Sequence, residues 1–242
     1  MTALEVNNVT VKFGGNVALQ SVSLSAEAGA VTGLIGPNGA GKTTLFNVIT
    51  GLQAPTGGAV RLDGRDITSL APFKRARAGL ARTFQRLELF TLLSVRANVR
   101  VAADIHRSHT RDSSLDPDRV ADEILERLGL AELGATRVDQ LPTGQARLVE
   151  IGRALATRPQ VLLLDEPASG QDEAETNTLA GLLAELAAEG MAVLLVEHDV
   201  QLVMRACQRV HVLDFGQILA VGTPDEVRSN QLVLDAYLGA AR

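Results

Sequence analysis

The sequence predicts an α/β fold: a mixed, largely parallel sheet with antiparallel strands at its edge and a helical insertion in the middle of the chain. Three observations carry this. Val161 to Leu164 and Val193 to Val196 are unbroken apolar runs, as strands covered on both faces require. Leu4, Val6, Val9 and Val11, then Val17, Leu19, Val22 and Leu24, follow the alternation of half-exposed antiparallel strands. Residues 90–155 lack strand alternation and read as helical.

Taken in order, the two N-terminal strands precede Val31 to Ile35, a short buried strand, and then Gly36-Pro37-Asn38-Gly39-Ala40-Gly41-Lys42-Thr43-Thr44. Leu45 to Thr50 continues as a helix that Gly51 can end. Strand, glycine loop and helix meet the pattern G-x-x-x-x-G-K-[ST] without a departure. Glycines at 36, 39 and 41 let backbone N–H groups turn inward at the positive end of a helix, which makes an anion nest. Lys42 is placed to reach the β- and γ-phosphates of a nucleotide, and the Thr43 hydroxyl to complete the shell of a Mg2+ ion. The chain has only three lysines among 23 basic residues, so a stray lysine here is a poor explanation.

A further strand is expected near Val60 to Leu62, and His106 to Asp116 reads as an exposed polar loop before Asp116-Pro117 opens a helix. Asp172 to Glu189 carries a stripe of Leu179, Leu182, Leu183 and Leu186, closed by Gly190. Thr223-Pro224-Asp225-Glu226 joins an N-cap, a first-turn proline and a reciprocal glutamate, so a last helix starts there.

With 242 residues, the chain suits one compact unit with a helical insertion. The lone Cys207 reads as a small buried residue, and disulfides are not expected. No apolar run approaches the ~20 residues of a membrane span, and no secretion signal is legible, so a soluble, unsecreted protein is expected. A net charge of −5 argues against a nucleic-acid surface, and Lys74, Arg75, Arg77, Arg82 and Arg86 read as a solvated basic face. His106 and His109, without further ligands at metal spacing, read as ordinary loop residues.

Val161-Leu162-Leu163-Leu164-Asp165-Glu166 ends a buried strand in two carboxylates, where a parallel sheet presents ligand sites. This is the Walker B pattern, with Asp165 suited to the metal shell and Glu166 to accepting a proton from an attacking water. Leu141-Pro142-Thr143-Gly144-Gln145, followed by a helix, resembles the signature motif of ATP-binding cassette ATPases. Gln85 lies where that family has its Q-loop, Ser169-Gly170-Gln171-Asp172 resembles the D-loop, His198 resembles the switch histidine, and Phe13 sits where an aromatic ring meets adenine. The resemblance spans essentially the whole chain. It implies a single domain over residues 1–242, with 1–88 and 156–242 forming a RecA-like P-loop NTPase core plus an antiparallel β subdomain, and 89–155 a helical signature subdomain. Ala81-Arg82-Thr83-Phe84-Gln85, Glu197-His198-Asp199 and Gly222-Thr223-Pro224 look like ATPase subunits of branched-chain amino acid importers, a type shared with urea and amide importers.

The resemblance implies two such subunits, alike or different, sandwiching two ATP molecules. Phe13 would stack on adenine, Gly36, Asn38, Gly39, Gly41, Lys42, Thr43 and Thr44 would hold the phosphates, and Thr43, Gln85 and Asp165 would hold Mg2+. Glu166, His198 and Gln85 would carry the hydrolysis. Pro142, Thr143, Gly144 and Gln145, with Asp172 of the D-loop, would complete the partner's ATP. It further implies separate permease subunits, an extracytoplasmic substrate-binding protein and a place on the cytoplasmic face of the cell membrane. Pro142 and Thr143 replace the family's usual serine and first glycine, which leaves Thr143 to supply the hydroxyl or the signature weakened; Gln171 stands where the D-loop usually has an apolar residue. Competing readings are an exporter subunit, a DNA-associated ATPase of the same family, which would interpose long coiled coils absent here, and a nucleotide-dependent switch, against which Glu166 and His198 argue.

Overall fold

The computed structural model describes residues 1–239; residues 240–242 of the expected core lie outside the described residues. Strands β1 (Thr2–Phe13) and β2 (Asn16–Glu27) pair antiparallel, as their alternation predicts, and are followed by β3 (Val31–Ile35) and helix α1 (Lys42–Thr50). Next come β4 (Gly57–Leu62), β5 (Arg65–Asp66), α2 (Pro72–Arg77) and β6 (Leu80–Arg82). Helices α3 (Val95–Thr110), α4 (Pro117–Arg127) and α5 (Thr143–Leu155) form the insertion. The chain then runs through β7 (Val161–Asp165), α6 (Glu173–Ala188), β8 (Ala192–Val196), α7 (Val200–Ala206), β9 (Arg209–Asp214), β10 (Gln217–Gly222), α8 (Pro224–Arg228) and α9 (Gln231–Gly239).

The strands make two sheets. One has the order β2-β1-β4-β5, so the N-terminal strands build a sheet of their own rather than flank the main one. The other, β10-β9-β3-β8-β7-β6, is parallel except for β10, whose antiparallel pairing with β9 makes it mixed. Both faces of this sheet are covered, which is why β7 is apolar from Val161 to Leu164. Leu162 and Leu164 pack on the side of the helical insertion and α6, while Val161 and Leu163 pack with α1 and the antiparallel sheet.

The expected cap is present: Thr223 and Glu226 form a reciprocal capping box on α8. The structure adds a second on α6, between Asp172 and Glu175. One expectation fails: His106 and His109 lie on α3, not in a loop. Ser94 caps that helix, and buried Val95, Val99, Ala102 and Ala103 carry it as a packed face past its polar residues until Arg111 turns left-handed at φ 56°.

The basic face is also corrected. Arg75 is only 2% exposed, and it donates to the carbonyls of Val48 and Ile49 (2.7 and 2.8 Å), Thr68 (2.6 Å) and Leu70 (2.9 Å). A guanidinium therefore closes the negative end of α1, where Gly51 leaves room for it. Arg82 is buried too, with 5% of its side chain exposed.

Candidate nucleotide site

Three adjacent parallel strands, β3, β8 and β7, end at one place, and the segments leaving them bring most of the expected residues together. From β3 the chain turns through Gly36, where a Cβ would lie 2.0 Å from the carbonyl oxygen of Leu213. At Gly41, with φ 110°, a Cβ would lie 2.9 Å from the Ala18 carbonyl oxygen, so the backbone of β2 holds the loop from the other side. Gly41 is the N-cap of α1, and no side chain caps that helix. The helix thus offers its first N–H groups and positive dipole end with no built-in acceptor.

Lys42 is 9% exposed and folds back on the loop, donating from Nζ to the carbonyls of Gly36 (2.6 Å) and Pro37 (3.0 Å). Burial holds its ammonium below the ordinary lysine value, with the charges of Glu166 and Asp165 opposing. An uncapped helix start, glycines no side chain can replace, and a buried ammonium satisfied only by neutral carbonyls fit an anionic phosphate group. Two carboxylates beside it and the exposed Thr43 supply oxygen donors of the kind a hard divalent cation takes.

At the end of β7, the Asp165 carboxylate is buried and paired with Arg82 at 2.9 Å. Glu166 follows with φ 51°, its N–H donating to the Val196 carbonyl at 2.9 Å, which turns its side chain out of the sheet. There the Gln85 side-chain amide donates to Glu166 Oε2 at 3.0 Å, and Nδ1 of the exposed His198 lies 3.9 Å from the same oxygen. Beneath them Glu197, 1% exposed, accepts from the N–H groups of Ala168 (2.8 Å), His198 (3.1 Å) and Asp199 (3.4 Å). Burial pushes its carboxyl up despite those bonds, so one side chain ties the segment after β7 to the segment after β8.

Phe13 closes β1 and is 49% exposed, open to stacking. The signature segment belongs to a different surface. Pro142 is the N-cap of α5 without a side-chain cap bond, and Pro142 and Thr143 are exposed. Among the described residues no side-chain hydrogen bond joins 142–145 to 36–44; a Cβ at Gly144 would instead meet Glu175 Oε1 at 2.6 Å, next to the cap residue Asp172.

Sequence reasoning missed several residues that position the site. Arg147 of α5 donates to the carbonyls of Phe84 (2.8 Å) and Gln85, while Glu150 accepts from the Glu88 N–H at 3.0 Å. The signature helix thereby grips the backbone around Gln85. The one available signal was the presence of Arg147 and Glu150 on the same helical face as apolar Ile151 and Ala154, where a solvated pair is out of place. Beside Phe84 opens an apolar groove of about 350 Å³ lined by Leu52, Pro72, Ala102, Ile105 and Ala154.

Comparison with known proteins gives the family of the chain. Residues 19–169 match the family described as ABC transporter, and residues 217–242 the one described as branched-chain amino acid ATP-binding cassette transporter. The chain is 42% identical to the high-affinity branched-chain amino acid transport ATP-binding protein BraF of Pseudomonas aeruginosa, with 98% of each chain covered. It superposes on the crystal structure of a nucleotide-free ATP-binding cassette from an ABC transporter with a TM-score of 0.88 at 33% identity, covering 98% of this chain and 99% of that one. A dimeric post-hydrolysis ATP-binding cassette bound to ADP and Pi matches with a TM-score of 0.81 at 28% identity, covering 91% and 98%.

Proposed function

Since this chain belongs to the ABC transporter family, as an ATP-hydrolysing subunit, we propose that it powers uptake of branched-chain or other hydrophobic amino acids, or of urea or amides, through separate permease subunits. The observation that carries the substrate reading is the match of residues 217–242, which include none of the proposed nucleotide-binding residues, to the branched-chain amino acid type.

In this reading Gly36 to Thr44 bind the phosphates, with Lys42 exchanging its two carbonyl acceptors for phosphate oxygens. Phe13 stacks on the base. Thr43, Gln85 and Asp165 hold Mg2+, which when bound neutralises charge on the β- and γ-phosphates. Glu166 takes a proton from the attacking water, and His198, near enough to share its carboxylate, orients that water and the γ-phosphate. Residues 142–145 and Asp172 face a second ATPase subunit and complete its site, which accounts for their distance from this chain's own phosphate loop.

Residues 89–155 act as a helical subdomain on the core of 1–88 and 156–242. The permease contact is assigned to the apolar groove beside Phe84, because Arg147 and Glu150 would pass any displacement there to Gln85 and to the signature helix. The chain would then sit on the cytoplasmic face of the membrane, supplied by an extracytoplasmic binding protein; among the described residues no helix is long and apolar enough to cross a membrane.

Purification with the membrane partners, reconstitution, and an ATPase assay against candidate solutes test this reading. Stimulation by leucine, isoleucine or valine with their binding protein is expected. Stimulation by none of the amino acids, urea or amides would overturn the substrate reading while leaving the ATPase assignment intact.

A further inference from the structure

Arg82 carries no role in the scheme above, yet its guanidinium is among the most constrained groups of the site. It lies at the end of β6, with Nη2 donating to Asp165 Oδ2 at 2.9 Å and Nη1 to Asn47 Oδ1 at 2.7 Å. Its carbon sits 4.8 Å from the Phe84 ring centre and 5.3 Å from that of Phe46. Both members of the Arg82–Asp165 pair have 5% of the side chain exposed, so neither is satisfied by bulk water.

Asn47 lies one turn after Thr43 on the same face of α1. The two arms of the fork thus end on the two elements expected to supply cation ligands, α1 through Thr43 and β7 through Asp165. We propose that Arg82 is a positioning residue: its planar fork clamps Asn47 to Asp165 and so sets the gap across which Thr43 and Asp165 hold a divalent cation. A buried ion pair of this kind is a weak source of stability, because desolvation offsets much of the attraction. What it does supply is geometry, since guanidinium donors are fixed in a plane while an ammonium offers one rotatable centre. The pair also occupies Oδ2 and leaves Oδ1 free to face a ligand.

The clamp rests on the nucleotide-site reading given above. Its test is equilibrium binding of a fluorescent ATP analogue to the full chain, in EDTA and then across a Mg2+ titration, for the wild type, Arg82→Met, Arg82→Lys and Asn47→Ala. In Arg82→Met the Mg2+ concentration at half effect is expected to rise roughly 10–100-fold, the usual cost of removing a group that orients a metal ligand. Arg82→Lys, which keeps the charge but loses the fork, and Asn47→Ala, which removes one of the fork's two acceptors, shift it in the same direction by less. Binding in EDTA stays within about twofold, because Lys42 and the glycine loop are untouched. Arg82→Met strands a buried carboxylate; if it does not fold, the other two variants decide.

A wild-type Mg2+ midpoint in every variant that melts cooperatively would overturn the clamp, leaving the nucleotide site standing. So would a parallel loss of binding with and without Mg2+, which marks a purely structural residue. Failure of the wild-type chain to bind the analogue at all would instead overturn the nucleotide reading and the clamp with it.

Discussion

The Gln85 side-chain amide donates to Glu166 Oε2 across 3.0 Å, joining two residues 81 positions apart in the chain. Because Arg147 of α5 holds the Gln85 carbonyl, the carboxylate at the end of β7 is linked through two side chains to the signature helix. A movement of α5 against the core would move the group that contacts Glu166.

Glu166→Gln keeps the shape and the bonding capacity toward Gln85 but removes the proton acceptor. In the assembled transporter ATP hydrolysis is expected to fall about 10²–10⁴-fold, the usual weight of a general base, with ATP binding retained. Phosphate release and nucleotide retention measured on one preparation check this; unchanged turnover would remove Glu166 from the chemistry.

Arg75→Met should destabilise the fold without touching the phosphate-binding groups. It removes the guanidinium donor from the carbonyls of Val48, Ile49, Thr68 and Leu70, of which Val48 keeps the Gly51 N–H, a loss of about 2–4 kcal/mol. At roughly 2–4 °C per kcal/mol for a chain of this size, the melting temperature is expected to fall by about 5–15 °C. A drop of under ~2 °C would mean those carbonyls find other partners.

Gly144→Ala places a methyl against the Glu175 carboxylate, where a Cβ would be 2.6 Å from Oε1. Overpacking of this kind costs about 1–3 kcal/mol. Glu175→Ala in the same chain should recover most of that loss, and urea unfolding of the four members of the cycle measures the coupling.

Pro142→Ser with Thr143→Gly restores the family's usual signature. Thr143 stands exposed at the first turn of α5 and offers a hydroxyl of its own, so turnover of the assembled transporter is expected to change by less than about threefold. A rise beyond roughly tenfold would show that the native signature is the weak half of its partner's site, since a hydrogen bond to a charged group is worth that much.

His211 makes stability depend on pH. Burial, reinforced by the charge of Arg209, pushes it down to about 4, and among the described residues neither ring nitrogen has a hydrogen-bond partner. Below the unfolded value of about 6.5 the unfolded chain takes up a proton that the folded chain refuses, so stability falls as the pH drops from about 6.5 to about 4. At pH 5 the loss is about 2 kcal/mol, and His211→Phe should abolish it relative to pH 7. Equal pH dependence of wild type and variant in urea unfolding would contradict this.

Much of this protein is legible in its sequence. The phosphate loop declares itself because its chemistry needs particular residues at fixed spacing within nine positions, and the cap at Thr223 because a helix start is solved within four. Strands β7 and β8 show in apolar runs because a parallel sheet is covered on both faces. The end of α3 was misplaced for the converse reason: Val95, Val99 and Ala102 hold that helix by packing against distant segments, and its polar last turns give no local sign of it.

By itself, then, the sequence determined the residue types proposed to meet phosphate and metal, the order of the elements and the family. Tertiary structure decided which arginines leave solvent. Arg75 and Arg82 look like their neighbours Lys74 and Arg77 in sequence, but each reaches an acceptor far along the chain, 27 residues away at Val48 for Arg75 and 83 away at Asp165 for Arg82. It also placed the signature segment against Glu175 rather than beside this chain's own phosphate loop. Burial of a long charged side chain is stable only where distant backbone and carboxylate groups converge on it, and only the packed fold brings those groups together.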